Sequence, residues 1–96
     1  NLAKNAQEMG SYFMEQLKNL PHVKEVRGLG LIVGMELEDI DAVQVKVKAM
    51  EKKLLVTATS DRIIRMVPPL IITKEDCDKA AAILKEAILE IEVTMK

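Results

Sequence analysis

The sequence predicts an α+β fold: a small, mainly antiparallel sheet with helices packed on one of its faces. Two observations predict it. Apolar residues recur at helical spacing at the start, in the middle and at the end of the chain. Between those stretches lie two pairs of short β-rich runs, the members of each pair separated by only a few residues. The order is helix, two strands, helix, two strands, helix, without internal repeat or low-complexity segment. Ninety-six residues allow one domain, so residues 1–96 are taken as a single unit.

In the first element, Leu2, Ala6, Met9, Phe13, Leu17 and Leu20 recur at spacings of three and four, which predicts an amphipathic helix over residues 2–19. Pro21 stops it, because the residue before a proline disfavours helical backbone. Gly10 costs this helix about 1 kcal/mol against alanine and leaves room for another backbone to come close. Val23–Arg27 is a strand, and residues 31–37 form a second. Gly28 and Gly30 between them predict the tight reversal of a hairpin. Asp39 or Asp41 caps the next helix, residues 42–52, with Val43, Val47, Met50 and Leu54 as its expected inner stripe. Lys53 stands where a left-handed residue would close that helix, at a cost of about 1 kcal/mol to any residue but glycine. Residues 54–57 and 63–67 are the second strand pair, around a turn at 58–62. Pro68 and Pro69 then remove two backbone donors and end sheet pairing. The last helix is the clearest. Thr73 is its N-cap, with Asp76 three residues on as the returning acid, and Ile72 and Cys77 in the staple positions. Its buried stripe is Ala80, Ala81, Ile83, Leu84, Ala87, Ile88 and Ile91.

Composition excludes several classes of function. Hydrophobic residues are 49% and charged residues 30%, with 14 Lys and Arg against 15 Asp and Glu. That is a globular composition, and the net charge of −1 offers no basic footprint for nucleic acid. Tyr12 and Phe13 are the only aromatics, too few for a base-stacking platform. No uncharged run exceeds eight residues, against the roughly 18 needed to span a bilayer, so no membrane role is expected. A single cysteine, Cys77, makes no internal disulfide and suits a reduced, cytoplasmic setting. With His22 the only histidine, there is no metal-ligand spacing. The chain lacks an initiator Met and runs straight into a helical pattern, which is expected of a cut inside a longer polypeptide.

No nucleophile, acid–base pair or metal set stands out, so no catalytic residue is expected. The one chemical oddity is Arg65, a charge within Ile63-Ile64-Arg65-Met66-Val67, two positions before the proline pair's first neighbour. Alternation places Ile63, Arg65 and Val67 on one strand face. A guanidinium beside apolar groups needs a carboxylate, and its fork matches one bidentately. Two readings follow. Arg65 is a receptor for a substrate carboxylate, or it is structural, either a surface arginine on an edge strand or one tied to an internal acid such as Glu36. His22 reads as a solvated loop residue, Arg27 as part of a structural hairpin, Cys77 as a small core residue, and the six methionines as core filling.

Two segments resemble a known family. Val26-Arg27-Gly28-Leu29-Gly30-Leu31-Ile32-Val33-Gly34-Met35-Glu36-Leu37 is similar to the small-domain hairpin of class III aminotransferases. Leu54-Leu55-Val56, followed by Ile63-Ile64-Arg65-Met66-Val67-Pro68-Pro69-Leu70-Ile71-Ile72-Thr73, resembles that family's later hairpin and entry to its final helix, most closely in the acetylornithine and succinylornithine branch. The resemblance covers nearly the whole chain. It implies the C-terminal small domain of a fold-type I enzyme that uses pyridoxal phosphate (PLP) and is a homodimer. The Schiff-base lysine, the aspartate under the pyridine nitrogen and the phosphate cup belong to the large domain, so this segment alone is expected to be inactive and to bind no cofactor. The arginine of the family's Arg-x-x-Pro-Pro-Leu segment, Arg65 here, is implied to bind the substrate α-carboxylate and to orient the substrate over the cofactor. The implied reaction moves an amino group between N-acetylornithine and 2-oxoglutarate, in arginine biosynthesis. Lys53 stands where many relatives have glycine, and Thr59-Ser60-Asp61 replaces a glycine-rich turn. Acetylornithine, succinylornithine, ornithine and 4-aminobutyrate therefore all stay open as substrates. The alternative from another class is a free-standing α+β module that binds an amino acid through Arg65.

Overall fold

A computed structural model describes residues 2–29, 32–66 and 73–94 of the chain. Three helices and four strands follow in order: α1 (Leu2–Lys18), β1 (Val23–Leu29), β2 (Ile32–Leu37), α2 (Ala42–Glu51), β3 (Thr57–Ala58), β4 (Ile63–Met66) and α3 (Lys74–Thr94). The strands form one antiparallel sheet in the order β1-β2-β4-β3. This is the α+β arrangement the sequence predicts. Alternation along β2 and β4 sends Val33, Met35, Leu37, Ile64 and Met66 into a core shared with Phe13 and Leu17 of α1, Val45 and Ala49 of α2, and Leu84, Ala87 and Ile88 of α3.

Local chemistry accounts for most boundaries. Asp41 is the N-cap of α2: its backbone is extended and its Oδ1 accepts from the Val43 amide at 2.9 Å. At the other end the Lys53 amide donates to the Met50 carbonyl and the Leu54 amide to that of Ala49, both at 2.9 Å, with Lys53 itself at φ 69°. That is a Schellman closure with lysine in the left-handed position. The start of α3 is a reciprocal capping box. The Asp76 amide donates to Thr73 Oγ1 and the Thr73 amide to Asp76 Oδ2, both at 3.1 Å. Cys77 and the Ala81–Leu84–Ile88–Ile91 stripe are buried, with Ala80 and Ile83 half-buried beside them. The Ile72 staple position, the proline pair at 68 and 69, Gly30 and Val67 lie outside the described residues.

Four expectations need correction. In α2 the buried residues are Ala42, Val45 and Ala49, while Val43, Val47 and Met50 are 48%, 50% and 48% exposed. Both stripes are apolar and separated by about one residue's turn of the helix. The small-residue face went inward because α2 lies close to α3, where Lys52 reaches Glu86 and Glu90 at 3.1 and 2.6 Å. Residues 54–57 make no full strand; only Thr57 and Ala58 pair, and Leu55 is 83% exposed. Gly28 lies inside β1, paired with Val33, rather than in the turn. A Cβ there would run into the Met14 side chain of α1, so glycine permits the helix to lie close on the strand. His22 is half-buried and bridges two acceptors rather than standing free in solvent, as its geometry below shows.

Candidate functional site

The face of the sheet opposite the core is open, and the register decides which side chains meet there. Gly34 of β2 pairs with Arg27 of β1 on one side and with Arg65 of β4 on the other. Arg27, Gly34 and Arg65 therefore form one row across the sheet. Strand spacing sets the two arginines' Cα atoms roughly 10 Å apart. The adjacent row runs Glu25, Glu36, Ile63. Arg65 is exposed, Ile63 is half-buried, and Ile32 is exposed. With Thr59 these residues line a concavity of about 380 Å³.

This corrects the picture of Arg65 on an otherwise apolar face. Its own strand supplies apolar Ile63, but β1 and β2 bring Glu25, Arg27 and Glu36 to the same side. Glu36 is not tied to Arg65. Its two carboxylate oxygens stand 3.7 Å from Arg27 and 3.7 Å from Lys24. Arg27 also donates to Glu25 Oε2 at 2.7 Å. That hydrogen bond holds the Glu25 carboxyl below its ordinary pKa and raises that of the Arg27 guanidinium. Among the described residues Arg65 has no ion pair and no hydrogen-bonded partner. A guanidinium with free donors, beside an apolar wall and over a side-chain-free floor at Gly34, can receive an external carboxylate bidentately.

The concavity contains no lysine and no aspartate. It therefore offers no Schiff-base partner, its two carboxylates, Glu25 and Glu36, are engaged by Arg27 and Lys24, and its residues do not fit PLP by themselves. A larger hollow of about 650 Å³ is lined by Glu36, Glu38, Asp39, Asp41 and Asp61 against Lys24 and Arg62. Its acidic excess repels the anion that Arg65 attracts, so chemistry favours the smaller site despite its size. Among the described residues no group of three His, Cys, Asp or Glu side chains is placed to hold a metal ion.

The remaining candidates serve the scaffold. His22, at φ 62°, puts Nδ1 3.0 Å from the Glu38 carbonyl and Nε2 2.9 Å from Glu92 Oε2, bridging the end of β2 to the last turns of α3. Burial works against its charge, but the hydrogen bonds to Glu92 and Glu38 and the charges of Glu92 and Asp39 outweigh it and raise its pKa. Cys77 is buried with its Sγ 3.8 Å from the Met9 carbonyl, and burial pushes its pKa up, the opposite of a reactive thiol. Tyr12 ties α1 to α3 by donating to Asp78 Oδ1 at 2.6 Å. What sequence reasoning missed is Arg27 sharing a row with Arg65. The signal was available, since counting the hairpin register outward from residues 29 and 32 puts Arg27 opposite Gly34.

Comparison with known proteins bears on this site. The family described as Aminotransferase class-III matches residues 1–88. The acetylornithine aminotransferase of Caldanaerobacter subterraneus subsp. tengcongensis is 45% identical over 86 residues, 85% of this chain and 22% of that protein. That of Methanocaldococcus jannaschii is 46% identical over 89 residues, 88% of this chain and again 22% of the relative. The ornithine aminotransferase of Staphylococcus carnosus is 45% identical over 87 residues, with coverages of 88% and 22%. Among solved structures, a Bacillus anthracis aminotransferase superposes with a TM-score of 0.82 at 33% identity, over 95% of this chain and 25% of that one. The Toxoplasma gondii ornithine aminotransferase, described with partial occupancy of PLP at its active site, gives 0.78 at 32% identity, over 97% and 24%. The chain thus spans 22% of the length of the curated relatives it matches.

Proposed function

The chain belongs to the class III aminotransferases, and from that membership we propose that it serves as the C-terminal small domain of an acetylornithine-type enzyme, in which Arg65 receives the substrate's α-carboxylate. The observation that carries this reading is the Arg65 guanidinium, unpaired among the described residues, in an open concavity whose nearby acids are engaged elsewhere. The names of the relatives favour acetylornithine, with ornithine next. The amino-group acceptor is 2-oxoglutarate, the pathway arginine biosynthesis, and the working form a cytoplasmic homodimer.

Within that enzyme the chain's contribution is positioning. A bidentate guanidinium–carboxylate pair fixes both the place and the rotation of the substrate's acid end, so the carbon beside it meets the reactive centre in one orientation. Since the pair exists in both ground and transition states, its loss acts on binding, and the misplacement it allows acts on turnover. Lysine restores charge but not the fork.

The test is Arg65→Ala and Arg65→Lys in the full-length enzyme. Alanine is expected to raise KM for 2-oxoglutarate about ten- to a hundredfold, the range for a hydrogen bond to a charged group. Lysine recovers part of that. An Arg65→Ala enzyme with unchanged kcat/KM removes the assignment.

A further inference from the structure

Gly34 stands within β2, an interior strand of the sheet, where a glycine weakens the strand and packs nothing. Gly28 has a reason inside the chain, the Met14 side chain that lies against it. Gly34 has none among the described residues. Its φ lies outside the left-handed region, so the backbone does not demand glycine. A Cβ built there would meet the Arg27 carbonyl oxygen at 3.9 Å, an ordinary contact, and no other atom of the described residues within 4 Å. The glycine thus leaves open a space that the fold could fill without a clash. That space lies between Arg27 and Arg65, which pair with Gly34 from either side, and it belongs to the concavity. A glycine in a strand interior without an internal cause marks the close approach of a ligand or of another backbone.

We propose that Gly34 is a specificity-determining residue of the carboxylate site: its missing side chain is the floor on which the acid end of the substrate lies while Arg65 holds it. This rests on Arg65 being the carboxylate receptor. A Cβ at position 34 would face that of Arg65 across the strand gap at about 5 Å. Branches beyond that Cβ would rise from the sheet beside the Arg65 stem, into the room that an acid lying along the row needs. A bidentate pair tolerates little displacement, because both of its N–H···O bonds share one plane. The expected order of tolerance at position 34 is therefore glycine, then alanine, then valine, the reverse of the order a strand prefers. The site gives up strand stability to keep its floor clear.

The experiment places Gly34→Ala, Gly34→Val, Arg65→Ala and the double variant Gly34→Val with Arg65→Ala in the full-length enzyme. It reads KM and kcat for 2-oxoglutarate and the melting temperature of each. Gly34→Val is expected to raise KM about tenfold, the size of one hydrogen bond to a charged group, with kcat changed less. Gly34→Ala should raise KM by less than valine does. Both single variants should melt at the parent's temperature or above it. In the double variant KM should match that of Arg65→Ala alone, since the two changes remove one and the same contact. An unchanged KM in Gly34→Val overturns the inference, and so does a valine effect that persists in full beside Arg65→Ala. A lower melting temperature in either Gly34 variant means that the polypeptide itself fills this space, which overturns it as well. Arg65→Ala separates the two levels. If it leaves KM alone, the carboxylate reading itself fails; if it raises KM while Gly34→Val does not, only the role of Gly34 fails.

Discussion

Lys53 sits in the left-handed region at φ 69°, where an L side chain crowds its own carbonyl. The Schellman bonds around it hold that conformation whatever the side chain, so the strain is confined to one Cβ. Lys53→Gly is therefore expected to stabilise the chain by about 1 kcal/mol, the relieved strain less glycine's greater unfolded-state entropy. Denaturant titration checks it, and an unchanged or lower midpoint refutes it. His22 poses a different question. Both of its ring nitrogens face acceptors, a carbonyl and a carboxylate, so both contacts are hydrogen bonds only when the ring is the imidazolium. Its folded pKa is correspondingly raised. A raised pKa contributes stability that is complete below the unfolded value of about 6.5 and is lost as pH climbs through the folded value. The melting temperature should accordingly fall as pH rises above that point, and fall less in Glu92→Gln. Equal slopes in the two proteins count against the bridge.

At the scale of elements, α2 shows how an apolar pattern can be read with the wrong face inward. Its sequence offers a large stripe, Val43, Val47 and Met50, and a small one, Ala42, Val45 and Ala49. Hydrophobicity prefers the first; the space beside α3 and the sheet accepts the second. Val45→Ala opens a fully buried site and should cost about 2 kcal/mol. Val47→Ala removes more exposed methyls and gains helix propensity, so it should change stability by less than about 0.5 kcal/mol. Parallel chemical denaturation of the two variants distinguishes the faces, and a larger loss in Val47→Ala would reverse the assignment. By contrast α3 left nothing to choose. Its cap, acids and stripe all agree, and the structure reproduces each of them within the described residues. The second strand pair was overestimated because β-branched composition cannot report whether a partner strand runs alongside. Only Thr57 and Ala58 lie against β4.

For the whole molecule, several large apolar residues stand in solvent. Val43, Val47 and Met50 form a helix face, Leu55 stands almost fully in solvent, and Leu89 and Val93 expose 41% and 72% of their surfaces on α3. Apolar side chains exposed along one helix face drive association when nothing covers them. The 96-residue chain on its own is expected to self-associate, with a mass by light scattering that rises with concentration. A clean monomer at high concentration would show that these residues are tolerated singly. In the proposed longer enzyme other parts of the polypeptide or its partner would cover this surface, in keeping with a chain that spans 22% of its relatives' length.

The amino-acid sequence by itself determined the class of fold, the order of elements and the cap of α3. Each rests on short-range rules: periodicity and capping. Only the tertiary structure decided which face of α2 is buried, that His22 bridges two elements, and that Glu36 turns to Lys24 and Arg27 instead of Arg65. Those outcomes depend on which strands lie side by side and how near two helices come. Residues distant in the chain set them, through close packing and through the geometry of donors and acceptors, and a local pattern carries no record of either.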